Sequence, residues 1–70
     1  MSTGTVARVT EVSATSSTSF EDAIKVGIDR ANETLRNVTS AWVKEMKVNL
    51  DGKGNVTSYQ VNMLVTFILD

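Results

Sequence analysis

Polar and apolar residues mix at short range at the start of the chain, and the spacing then changes. Residues 5–14, TVARVTEVSA, are rich in Val and Thr and partly alternating, as in a short strand. The polar run TSSTS at 15–19 ends that strand and prepares a helix. Ser19 suits an N-cap with Asp22 three residues on, close to a capping box, and Thr18 with Glu21 is an equal alternative. From Phe20, apolar residues recur at three- and four-residue steps: Phe20, Ala23, Ile24, Gly27, Ile28, Ala31 and Leu35. This is the stripe of an amphipathic helix. Glu21, Lys25, Asp29, Asn32, Glu33 and Arg36 occupy its other side, and Glu21 with Lys25 is a favourable i,i+4 pair. Gly27 and Ala31 on the stripe let a sheet approach closely.

Residues 40–50 and 56–69 read as two long strands joined by a turn at Asp51–Gly54. In the last strand Tyr59, Val61, Met63, Val65, Phe67 and Leu69 form one apolar face. Gln60, Asn62, Leu64, Thr66 and Ile68 form a mixed face that one helix cannot also cover, so another subunit is expected to cover it. In the middle strand the apolar set shifts parity, from Ala41 and Val43 to Met46, Val48 and Leu50. Such a shift implies a bulge, or a far end that packs on something else. The order strand, helix, strand, strand predicts an α+β fold, a three-stranded antiparallel sheet against one helix, over a single domain 1–70.

Composition narrows the function. A chain of 70 residues buries only about 60% of the surface its unfolded chain exposes, and this one has no cysteine for disulfides and no histidine for metal or base chemistry. Subunit contacts are the remaining means of stabilisation. Seven basic and eight acidic residues are spread along the chain, which argues against a nucleic-acid footprint. No stretch approaches a membrane span, and MSTGTVARV lacks the pattern of a secretory signal, so the cytoplasm is the expected location. In that compartment the sequons at Asn32, Asn37 and Asn55 are chance matches. No nucleophile stands with a base, and no catalytic residue or metal-ligand set is expected. The turn at Asp51–Gly54 is half of a calcium loop at most, lacking its alternating carboxylates and terminal Glu, and turn chemistry explains it.

Several segments together resemble the dodecins, small flavin-binding proteins that form hollow dodecamers. They are TS at 15–16 followed by FEDAI at 20–24, IDRANETLRNV at 28–38, and YQVNMLVTFIL at 59–69. The resemblance implies a β-α-β-β sheet wrapped around its helix, a homododecamer, and flavin (riboflavin or FMN) held between subunits. In that family, paired isoalloxazine rings stack between tryptophans at the start of the middle strand, and a glutamine of the last strand bonds the polar edge of the ring. The glutamine carries over onto Gln60. The tryptophan does not, because alignment on RNV and VKEMKV puts Ser40 at its position and Trp42 two residues later. Two residues keep the same strand face but move the indole about 6.6 Å.

The candidate site is therefore Trp42 as a stacking wall, Gln60 as a polar anchor, and Ser40 as a gap or hydroxyl contact. The amide of Gln60 offers both a donor and an acceptor to a flavin's pyrimidine edge. One hairpin register puts Trp42 on the face of Gln60; a one-residue slip puts it with Tyr59 and Met63. Lys44 and Lys47 are candidate contacts to a flavin phosphate, while Glu45 and Lys47 suit interface ion pairs or a pore lining. The rival readings are a flavin-free dodecin that binds ions such as calcium or serves as a shell, and a small interaction module that takes a partner's strand at a sheet edge.

Overall fold

The computed structural model describes residues 4–69, so residues 1–3 and 70 of the expected domain lie outside it. Four elements follow in order: β1 (Ala7–Ser16), α1 (Phe20–Thr34), β2 (Val38–Leu50) and β3 (Val56–Ile68). Both sheet contacts are antiparallel, and β3 lies in the centre with β1 and β2 as its edges.

The helix begins where its cap dictates. Ser19 is the N-cap, and its hydroxyl accepts from the backbone N–H of Asp22 at 3.0 Å. Asp22 does not close the box in return. Its carboxylate accepts at 2.6 Å from the hydroxyl of Ser16, which is buried and also accepts from the N–H of Thr18. This network keeps Thr15 and Ser16 in β1, opposite Gln60 and Tyr59, two residues beyond the predicted end of the strand. At the other end of the helix Leu35 is the C-cap with extended backbone, and Asn37 takes φ 61° to turn the chain into β2. Asparagine adopts that left-handed conformation more readily than most residues. The expected Glu21–Lys25 pair is absent. Lys25 reaches Asp29 instead, at 3.3 Å, and both side chains are largely exposed, so the pair contributes little.

The core lies between the helix and one face of the sheet. Ala23, Gly27 and Ala31 are buried along α1, facing Ala14 of β1 and Val61, Met63 and Val65 of β3. Phe20 meets Tyr59 edge-on, with ring centroids 5.2 Å apart. The close approach has a specific requirement. A Cβ at Gly27 would stand 2.5 Å from Met63 Cε and 3.0 Å from Ala14 Cβ. Leu69 follows the last strand instead of belonging to it and is exposed, so the apolar face of β3 ends at Phe67.

The parity shift in β2 is a bulge. Val43 pairs with Met63 and Glu45 with Asn62, leaving Lys44 as the extra residue. Ala41, Val43, Met46 and Val48 consequently share the helix side of the sheet, while Ser40, Trp42, Glu45 and Lys47 share the opposite, open side. Two further irregularities, between Val38 and Ser40 and between Asn49 and Leu50, adjust the ends of the strand.

Candidate functional site on the open face of the sheet

No helix lies on the second face of the sheet. Along β3 it presents Gln60, Asn62, Leu64 and Thr66; β1 adds Val9, Glu11, Ser13 and Thr15; β2 adds Ser40, Trp42, Glu45 and Lys47. The hairpin therefore takes the register in which Trp42 and Gln60 share a face: Trp42 stands opposite Leu64, and Lys47 stands opposite Gln60. The indole is 73% exposed, the highest value among the large apolar side chains of the described residues. A flat apolar ring held on a rigid strand, bare to solvent, is a surface onto which another flat ring can stack.

The open face has two chemical zones. At one end Ser40, Trp42, Leu64 and Thr66 lie together, apolar apart from two hydroxyls. At the other end Glu45, Lys47, Gln60 and Asn62 line a depression of about 290 Å³, bordered also by Met46, whose side chain belongs to the helix side. Asn62 Nδ2 donates to Glu45 Oε1 at 3.2 Å, and Gln60 Nε2 donates to Ser13 Oγ at 2.9 Å. These bonds orient both amides and leave the carbonyl oxygen of Gln60 available as an acceptor. Between the zones Lys44 Nζ reaches Glu11 Oε2 at 3.5 Å, spanning the central strand from β2 to β1. Lys44 is thereby engaged within its own subunit, whereas Lys47 has no ion pair among the described residues.

Ser40, Trp42 and Gln60 all lie on this face, but not side by side. Trp42 and Gln60 are four residues apart along β3, about 13 Å at strand spacing. Ser40, opposite Thr66, is two residues farther still. Sequence reasoning placed Asn62 on the face of Gln60 without a role and passed over Glu11 and Ser13, because side-chain contacts across three strands depend on sheet order and register. At the hairpin end, Asp51 Oδ1 accepts from the N–H groups of Lys53 and Asn55 at 2.7 and 3.2 Å. Its other oxygen accepts from Asn55 Nδ2 at 3.1 Å. The bond from the Lys53 N–H, foremost, holds this carboxyl below the usual carboxylate range. The loop is a self-satisfied turn, as expected.

The β-α-β-β order, with one helix-covered and one open sheet face, defines a class of small α+β proteins. The chain belongs to the dodecin family, whose model matches residues 6–70. Among solved structures, the dodecin from Streptomyces davaonensis superposes with a TM-score of 0.90 at 37% identity, over 97% of this chain and 98% of that one. A protein from Thermus thermophilus gives 0.87 at 36% identity, over 96% of this chain and 97% of that one. A calcium-chelating antigen of Mycobacterium tuberculosis, calcium dodecin, gives 0.80 at 28% identity, over 93% and 91%. No curated protein matches the sequence. No helix of the described residues is long and apolar enough to cross a membrane.

Proposed function

We propose that this protein is a non-enzymatic flavin store of the cytoplasm, a homododecamer that holds riboflavin or FMN at interfaces between subunits. The observation that carries the reading is Trp42, exposed on the open sheet face in line with Gln60. The separation of about 13 Å along β3 supports an interface site. Half the length of a three-ring isoalloxazine plus one hydrogen bond falls short of that span. The ring stacked on one subunit's indole is therefore bonded at its polar edge by another subunit's glutamine. In this arrangement Ser40 leaves room, or a hydroxyl contact, where the resemblance implies the family's stacking tryptophan. Stacking against the indole quenches the flavin's excited state and limits its photochemistry.

Titration of riboflavin or FMN with the protein tests this directly. Flavin emission falls towards one ligand per subunit, and Trp42→Ala abolishes the fall. Undiminished emission at micromolar protein refutes the reading. The similarity to a calcium-chelating dodecin favours a second reading, a flavin-free shell that binds ions. Calorimetry with Ca²⁺ separates the two. A stable monomer by light scattering would leave only the interaction-module reading.

A further inference from the structure

The hairpin between β2 and β3 closes on Asp51 and Gly52, which do different work. Asp51 supplies a carboxylate that gathers the N–H groups of the turn. Gly52 supplies a left-handed backbone at φ 85°, which a residue with a side chain adopts only with strain. These two residues, in this order, are also the pair most prone to rearrange. A glycine nitrogen has no side chain beside it, so it reaches the preceding Asp carboxyl carbon and closes a five-membered imide. Nothing covers the place where this happens. A Cβ at Gly52 would meet no atom within 4 Å, and Asp51 is exposed.

The reaction needs no oxidant, reductant or second substrate. The Gly52 nitrogen bonds to Asp51 Cγ, its proton and the carboxyl OH leave as water, and a second water opens the imide. Opening at the side-chain carbonyl restores aspartate. Opening at the main-chain carbonyl leaves an isoaspartate, with the Asp51 methylene now part of the main chain. That product adds one atom inside the loop closed by the Asp51 N–H, which donates to the Asn55 carbonyl at 3.1 Å, next to the Leu50–Val56 pair.

The turn occupies the carboxylate in a way that opposes the first step. Water leaves only from a neutral carboxyl, so one oxygen must first take a proton. Oδ1 already accepts from the N–H groups of Lys53 and Asn55, and Oδ2 from Asn55 Nδ2 at 3.1 Å. A proton on either oxygen would face a donor. Loss of either oxygen removes a hydrogen bond to a charged group, the stronger kind. The same bonds, that from the Lys53 N–H foremost, hold the carboxyl below its ordinary value.

We propose that Asp51–Gly52 is a site of spontaneous aspartate isomerisation that the folded turn holds closed, with Asn55 as its guard. Asn55 provides two of the three donors, and its side-chain amide is the one donor that a substitution removes alone. The site lies at the tip of the hairpin and is independent of what the open face binds.

The test is incubation for weeks in warm neutral buffer. Electron-transfer fragmentation distinguishes the two linkages at position 51, and an isoaspartate-specific carboxyl methyltransferase gives an independent count. In the folded native chain the isomer is expected to accumulate about tenfold more slowly than in the same chain unfolded in guanidinium chloride. Asn55→Ala, folded by far-UV circular dichroism, is expected to isomerise severalfold faster than the native chain. Lys53→Ala keeps every donor and is expected to match the native rate. A folded native chain that isomerises as fast as the unfolded one overturns the proposal, and that comparison needs no variant. So does a folded Asn55→Ala protein that isomerises at the native rate.

Discussion

Gly27→Ala is the substitution in which two physical effects oppose each other most directly. Glycine in the middle of a helix is about 1 kcal/mol less favourable than alanine, so propensity alone predicts a more stable protein. The packing predicts the reverse. The new methyl would lie 2.5 Å from Met63 Cε and 3.0 Å from Ala14 Cβ. The Met63 methyl is the far end of a flexible side chain, but it is fully buried and must find its new place inside the core, while Ala14 Cβ is fixed to its backbone and cannot turn away. Overpacking of this kind costs about 1–3 kcal/mol. The net expectation is destabilisation of about 1 kcal/mol, a fall in Tm of roughly 4–8 °C for a domain of this size. Thermal melts by circular dichroism at one fixed protein concentration measure it, since assembly makes Tm depend on concentration. A rise in Tm would refute the argument, because it would mean that helix and sheet separate freely at this point. Shortening the partner with Met63→Leu in the same chain is expected to recover most of the loss, and strict additivity of the two changes would rule out a direct contact.

Further outcomes follow from particular bonds. Ser16→Ala removes a buried hydroxyl that donates to Asp22 and accepts from Thr18, and is expected to lower stability by about 1.5–3 kcal/mol in urea titrations. Ser19→Ala removes only the cap on the Asp22 N–H, and about 1 kcal/mol is expected from the same measurement. The carboxyl of Asp51 is held below its unfolded value, so its contribution is present at neutral pH and lost as pH falls through the folded pKa. Asp51→Asn therefore lowers Tm at neutral pH and flattens its decline in acid; an unchanged acid profile would show that the turn is indifferent to this charge. Ser40→Trp places an indole opposite Thr66 and is expected to tighten flavin quenching relative to the native chain.

The helix was legible because its three- and four-residue apolar spacing acts locally; its start was legible to within one residue, with Thr18 as an equal alternative until the Ser19 hydroxyl is seen to cap Asp22. The parity change in β2 was legible because Ala41 and Val43 fall out of phase with Met46 and Val48, but the sequence allowed a bulge or a far end packed elsewhere, and the register with β3 decides for the bulge. The first strand was read two residues short because Thr15 and Ser16 look like loop residues until Asp22 comes round to bond Ser16. For Trp42 and Gln60, sequence left two hairpin registers open, and the structure puts both on the open face. Their separation along β3 emerges only once register and bulge are fixed together, since each shifts the pairing by one residue. Glu11 facing Lys44 across the central strand was not foreseen, because residues 33 positions apart meet only through the sheet order.

The exposed indole on the open face also makes the protein its own spectroscopic probe. The chain contains one tryptophan, so indole emission comes from a single place on a single face. Bare to water in the separate subunit, that emission lies to the red; covered by a neighbour or a bound ring, it moves blue or dims. Occupancy of the open face can thus be followed without any label, at concentrations where scattering methods fail. Contacts made on the helix side of the sheet leave the same signal unmoved, so the indole reports the open face alone.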